Sequence, residues 1–142
     1  MRIDIFRGTY FFLSNFYEAP VEYGGLRYLN NEAAFQAQKC LTEEEKQGFT
    51  QLPPNKAKRL GRQVVLRSDW EQVKVGIMEE IVRAKFTQNT DLRNQLLATR
   101  DAELVEGNNW NDTFWGVHLS NGKGENHLGQ ILMKVRSELQ NS

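Results

Sequence analysis

Three stretches of this chain bring together side chains that can do chemistry. In the first, Glu32-Ala33-Ala34-Phe35-Gln36-Ala37-Gln38-Lys39, a helix would set Glu32, Gln36 and Lys39 on one face at i, i+4 and i+7. A carboxylate, an amide and an ammonium aligned in this way can line a polar pocket. The same spacing also describes a solvated amphipathic helix with a favourable acid in its first turn. In the second, Asn111-Asp112-Thr113-Phe114-Trp115-Gly116, a carboxylate stands three residues from an indole, a pairing that can stack a planar ring and handle charge beside it. An aspartate shaping a turn and a tryptophan in the core form the alternative. In the third, Gly122-Lys123-Gly124-Glu125-Asn126-His127-Leu128-Gly129, a glycine-bearing loop leads into a helix. Free amides at such a start suit a phosphate or a sugar hydroxyl; a plain connection capped by Asn126 is the other reading.

Other chemistries lack their residues. The chain has no P-loop, no GxGxxG and no HExxH. His118 and His127 have no Cys or His at ligand spacing, so no metal site is expected. Cys40, the only cysteine, excludes an internal disulfide and reads as a core thiol rather than a nucleophile. Eighteen basic residues balance eighteen acidic ones, which argues against non-specific binding to a phosphate backbone but leaves room for a local basic pocket. No apolar run approaches the roughly 20 residues of a membrane span, and the start Met1-Arg2-Ile3-Asp4-Ile5-Phe6 lacks the features of a signal peptide. A cytoplasmic protein with no membrane partner is the expectation.

The elements that must position these groups can be read from patterning. Ile3 to Phe6 and Tyr10 to Leu13 have β character, and Val21-Glu22-Tyr23-Gly24-Gly25-Leu26-Arg27-Tyr28 predicts a hairpin with a two-residue turn. Asn30 or Asn31 can cap a helix from Glu32 to Cys40. Thr42-Glu43-Glu44-Glu45 offers a capping box, Pro54 opens a helix reaching about Arg62, and Ser68-Asp69-Trp70-Glu71 offers a second box. The latter precedes a stripe of Trp70, Val73, Ile77, Ile81 and Ala84, continued by Leu92 and Leu96. Leu104-Val105-Glu106 and Phe114 to Leu119 read as short strands; Leu128, Ile131, Leu132, Val135 and Leu139 give the last helix its apolar face. The whole, residues 1–142, is expected to form a single α+β domain dominated by helices, with a small, mostly antiparallel sheet.

The three stretches occur in order with other recognisable text. Leu13-Ser14-Asn15-Phe16, Asn31-Glu32 with Phe35-Gln36-Ala37-Gln38-Lys39, and Leu60-Gly61-Arg62 resemble the YbiA-like (NADAR) family. So do Trp70-Glu71-Gln72-Val73-Lys74, Arg83-Ala84-Lys85-Phe86, Leu96-Leu97-Ala98-Thr99 and Leu104-Val105-Glu106. Asp112-Thr113-Phe114-Trp115-Gly116, Gly124-Glu125-Asn126-His127-Leu128-Gly129 and Leu132-Met133-Lys134-Val135-Arg136 complete the resemblance, which runs from about Tyr10 to Leu139. It implies an N-glycosidase that cuts the C–N bond between ribose and a base or amine, with neither metal nor organic cofactor. The implied substrates are phosphoribosylamino-pyrimidine intermediates of riboflavin synthesis, releasing ribose 5-phosphate. Alternatively they are ADP-ribosylated guanines in nucleic acid, or the protein is a non-catalytic reader of ADP-ribose.

The resemblance also implies roles. Glu32 matches the motif glutamate and Asp112 the motif aspartate; Trp70 and Trp115 match its tryptophans, and Asn15, Lys39 and Asn126 its polar pocket positions. After Trp115-Gly116 the chain departs from the family pattern with Val117-His118-Leu119-Ser120, which bears on the leaving base. Cleavage of a ribosyl C–N bond passes through an oxocarbenium-like state that a carboxylate stabilises while orienting water. Glu32 or Asp112 is expected to do this, with Glu32 preferred. Trp115 and Trp70 are expected to stack on the base, Trp70 also suiting a core position. Lys39 and Arg62 are candidates for the 5′-phosphate, with Gly124 and Asn126 adding amide contacts.

Overall fold

The structure, a computed structural model, describes all 142 residues. Its elements are β1 (Arg2–Ile3), a 3-10 helix (Gly8–Leu13), β2 (Glu18–Tyr23), β3 (Leu26–Asn30), α1 (Asn31–Ala37), α2 (Glu43–Gln47), α3 (Pro54–Gly61), α4 (Trp70–Gln88), α5 (Thr90–Ala98), β4 (Glu103–Leu104), β5 (Gly107–Asn108), β6 (Val117–His118) and α6 (His127–Gln140). The α+β class with helices dominant holds. Two compact units are formed, one by residues 15–90 and the other by residues 1–14 with 91–142. No helix is long and apolar enough to cross a membrane.

The unit of residues 15–90 is built on the β2–β3 hairpin. Ala19 and Val21 point inward from β2 while Glu18, Pro20 and Glu22 point out, and Tyr28 and Asn30 do the same from β3, the period of two of a half-buried strand. Gly24 and Gly25, both at positive φ, make the tight turn. The register shifts between Glu18 and Val21, where Pro20 has no N–H to give to a ladder. Asn30 ends the hairpin and caps α1: its side-chain oxygen accepts from Ala33 N at 2.8 Å. Thr42 caps α2 through Glu45 N at 3.2 Å, and Pro54 opens α3.

Helix α1 packs against α3, α4 and both hairpin strands, and every one of its residues is buried. The solvated-helix reading of Glu32 to Lys39 is thereby overturned. The helix is also shorter than the pattern predicts. It stops at Ala37, and Lys39 N and Cys40 N turn back to Gln36 O and Ala37 O at 3.2 and 3.1 Å, the tighter i to i−3 geometry of a helix end.

Two further expectations fail for local reasons. Tyr10 to Leu13 belongs to a 3-10 helix rather than a strand, because the consecutive residues Phe12 and Leu13 are both buried; a strand would turn them to opposite faces. The capping box expected at Ser68 to Glu71 is displaced: α4 starts at Trp70, which puts Asp69 rather than Ser68 at the cap position without a side-chain cap bond, and the Asp69 carboxylate pairs with the Arg67 guanidinium at 2.6 and 2.9 Å. The buried side of α4 is Trp70, Met78, Ile81, Val82, Lys85 and Phe86, so Val73, Ile77 and Ala84 stand at its margin. Burial pushes the Lys85 ammonium down to about 7, with the Tyr17 and Phe86 rings 5.6 and 5.1 Å away.

The other unit holds two short parallel pairs, β1 with β4 and β5 with β6. Here α6 packs against β4 through the predicted face of Leu128, Ile131, Leu132, Val135 and Leu139. Phe114 and Trp115 lie in a turn, and only Val117–His118 of the expected strand pairs.

Candidate active site

Glu32 starts from the backbone. Its N–H donates to Asn15 O at 3.1 Å, so the chain entering the hairpin terminates the free end of α1. The Asn15 side chain is buried too: its amide nitrogen reaches Met78 Sδ at 3.3 Å, and its oxygen accepts from Asn31 Nδ2 at 3.3 Å. One turn along α1, Gln36 Nε2 donates to Glu32 Oε1 at 2.9 Å. Glu32 is only 8% exposed. An ionised group costs several kcal/mol to bury unless neighbours compensate.

The compensating charges are close. Lys39, half-buried just beyond α1, has an ammonium that burial pushes below the ordinary lysine range; Glu32 pulls it back up, while Arg62 and Lys74 push it further down. The Lys39 Nζ also stands 5.9 Å from the Trp70 ring. Trp70 is buried against Phe35, with ring centroids 5.1 Å apart. It takes the core position and supports the lysine. Arg62 is exposed at the end of α3. The unit of residues 15–90 thus brings Asn15, Glu32, Lys39, Arg62 and Trp70 together.

The second set of predicted residues lies in the other unit and is largely committed to shaping a loop. Asp112 Oδ1 accepts from Trp115 N at 2.9 Å, an aspartate turn. Asn108 braces the same turn through Asp112 N and O at 3.0 and 2.9 Å. Trp115 is half-buried, with Phe114 edge-on at 4.8 Å. The expectation of free amides before α6 is corrected. The N–H groups of Glu125, Asn126, His127 and Leu128 donate to Thr113, Gly116, Phe114 and Trp115 carbonyls at 2.7, 3.2, 3.2 and 2.9 Å, which leaves this helix start no anion-binding face. Gly124 serves close approach: a Cβ there would run into Gly116 O.

Asn126 has a structural part as well. Instead of capping α6 through its side chain, its oxygen accepts from Glu106 N at 2.9 Å and its nitrogen donates to Leu104 O at 3.0 Å. Asn126→Ala leaves both backbone groups unpaired, so stability is expected to fall by about 2–4 kcal/mol; a urea unfolding curve with unchanged slope measures it.

Two residues near Glu32 escaped the sequence reading. Gln36 was visible only as a member of a polar face, although its i, i+4 spacing from Glu32 is the signal for their bond. Lys74 stands one turn beyond Trp70 on α4, and only the packing of α4 on α1 brings it beside Lys39. Cys40 is buried, and burial pushes its thiol up, away from thiolate chemistry.

The NADAR domain profile matches residues 5–140. The chain belongs to the NADAR family. It is 43% identical over 129 residues to the N-glycosidase YbiA of Shigella flexneri serotype 5b, spanning 89% of this chain and 79% of that one. It is 42% identical over 141 residues to a riboflavin biosynthesis protein of Vibrio vulnificus, spanning 91% of this chain but 35% of that protein. The NMR structure of Escherichia coli YbiA superposes with a TM-score of 0.85 at 40% identity, covering 99% of this chain and 88% of that one. This NADAR protein is an N-glycosidase, an enzyme that acts on an N-glycosyl bond.

Proposed function

We propose that this NADAR protein hydrolyses the ribosyl C–N bond of a phosphoribosylamino-pyrimidine intermediate of riboflavin synthesis and releases ribose 5-phosphate. The observation that carries the reading is the carboxylate of Glu32, buried on α1, held by Gln36 and faced by the Lys39 ammonium. The riboflavin biosynthesis name of the Vibrio vulnificus relative supports the substrate class.

The chemistry follows from charge. As the C–N bond lengthens, positive charge grows at C1′ of the ribose, and an ionised carboxylate lowers the energy of that state. Glu32 then orients water and takes its proton as the oxygen bonds to C1′, while the leaving nitrogen keeps the electron pair of the broken bond and receives a proton, so that water is added across the bond and Glu32 returns to its carboxylate once it gives its proton up. Arg62 and Lys74 both press on the Lys39 ammonium; Lys74 is paired with Glu71 at 2.8 Å, and the repulsion that remains at Lys39 is relieved by an anion. The 5′-phosphate is the anion of this substrate. Trp70, buried against Phe35, is a core residue rather than a stacking surface for the base.

Lys39→Ala is expected to raise KM at least about tenfold on the phosphorylated substrate and to leave KM on its dephosphorylated form unchanged. Equal effects on the two forms would remove the phosphate role. The substrate itself is tested by offering the phosphoribosylamino-pyrimidine and an ADP-ribosylated guanosine oligonucleotide side by side, with products followed by mass spectrometry. Ribose 5-phosphate from the first is expected. Turnover of the oligonucleotide alone would redirect the assignment to ADP-ribosyl hydrolysis, and tight ADP-ribose binding without turnover of either would make the protein a reader.

A further inference from the structure

Gly61 poses a question that neither the hairpin nor the catalytic reading answers. It ends α3 without positive φ, so alanine would suit its backbone and helix propensity better. Space forbids it: a Cβ on Gly61 would run into Gln36 Oε1 and lie 2.8 Å from Gln36 Cδ. Gln36 is 6% exposed and is thus confined between Gly61 and Glu32. Its Oε1 is buried without a hydrogen-bond partner, an arrangement that costs free energy and that a simple apolar residue would avoid. Pointing Nε2 at Glu32 is the one orientation that keeps a carbonyl oxygen off the carboxylate.

We infer that Gln36 is a positioning residue for Glu32, holding the carboxylate in one orientation and in its ionised form, and that Gly61 sets Gln36 for this task. The inference rests on the catalytic reading of Glu32. A hydrogen bond donated to a carboxylate favours the charged form, and a carboxylate fixed by packing needs no reorganisation as charge develops. Of the charged groups around α1, Lys39 couples to Glu32, and Arg62 and Lys74 couple to Lys39. The hairpin turns Glu18, Glu22 and Arg27 to solvent and α2 exposes its glutamates, while Lys58 of α3 sits over Phe16.

The test uses the full chain and two readouts, the pH dependence of kcat/KM and the 13C carboxyl titration of Glu32 by NMR. Gln36→Met keeps the bulk and removes the donor; both the acid limb and the Glu32 titration are expected to move up by about one pH unit, with kcat down roughly tenfold and KM little changed. Gln36→Glu keeps the length, adds a second carboxylate and moves them further up. Gly61→Ala, with Gln36 intact, shifts them in the same direction, and most of its effect disappears in a Gln36→Ala background, where Oε1 and Cδ are gone and only the Cβ, 3.1 Å away, remains. If Gln36→Met does not fold, Gln36→Glu and Gly61→Ala decide the matter. Unmoved titrations in folded variants would overturn the inference while Glu32 stayed catalytic. Full activity of Glu32→Gln would instead overturn the catalytic reading, and the NMR titration would still judge the bond between Gln36 and Glu32.

Discussion

Glu32→Gln is expected to lower turnover by at least about 100-fold in a protein that melts no lower than the wild type. A hundredfold is roughly 2.7 kcal/mol of transition-state stabilisation, the scale of one preorganised electrostatic partner. The amide keeps the shape of the side chain, and its oxygen can still accept from Gln36 Nε2, which lies 2.9 Å from Glu32 Oε1. It removes the charge that opposes the growing oxocarbenium. Because the lost charge is a buried one, folding no longer bears its desolvation, so stability holds or rises. The sign for Lys39 follows as well. Glu32 is the neighbour that pulls this ammonium up against burial, so Lys39 titrates lower still in the variant. Steady-state kinetics with a melting curve on the same sample checks the expectation, and turnover near wild type would take Glu32 out of the mechanism.

The second large effect is on stability. Gly124→Ala is expected to cost at least about 3 kcal/mol, which in a chain of this length lowers Tm by roughly 6–12 °C. Two causes combine. The residue sits at φ 149°, a conformation close to glycine-only, and its missing Cβ is what lets the strand of residues around Gly116 and Val117 come close. That approach also allows Glu125 to Leu128 to donate to the 113–116 loop, so the turn held by Asp112 and the start of α6 are expected to loosen together. Calorimetry on wild type and variant measures the loss. A change below about 1 kcal/mol would mean that the loop yields without the helix.

Much of this was legible in the chain because it depends on neighbours in sequence. The Gly24-Gly25 turn, the caps at Asn30 and Thr42, the helix opened by Pro54 and the apolar face of α6 are all local decisions, made within a turn or two of backbone. Glu32 was legible as part of a motif. Where local signals competed, sequence reasoning failed: Ser68 to Glu71 reads as a capping box, but the helix begins one residue later and Asp69 pairs with Arg67 instead. Aromatic content suggested a strand at Tyr10 to Leu13, yet β propensity measures fit to a half-buried pleated surface, and two adjacent buried side chains need a helical turn.

What the sequence by itself determined is therefore the order of the elements, the family and the residue types available for chemistry. Tertiary structure decided which of those residues are committed. Asn126 and the amides before α6 had the chemistry to bind a ligand, but hydrogen bonds to distant backbone claim them, and Asp112 accepts locally from Trp115 N. The burial of α1 on every side, which turns Glu32 from a surface acid into a desolvated carboxylate, comes from α3, α4 and the hairpin together. The physical reason is one of range. Helix and turn formation act over a few residues, whereas desolvation and the crowding of Lys39 by Arg62 and Lys74 depend on groups that only folding brings near.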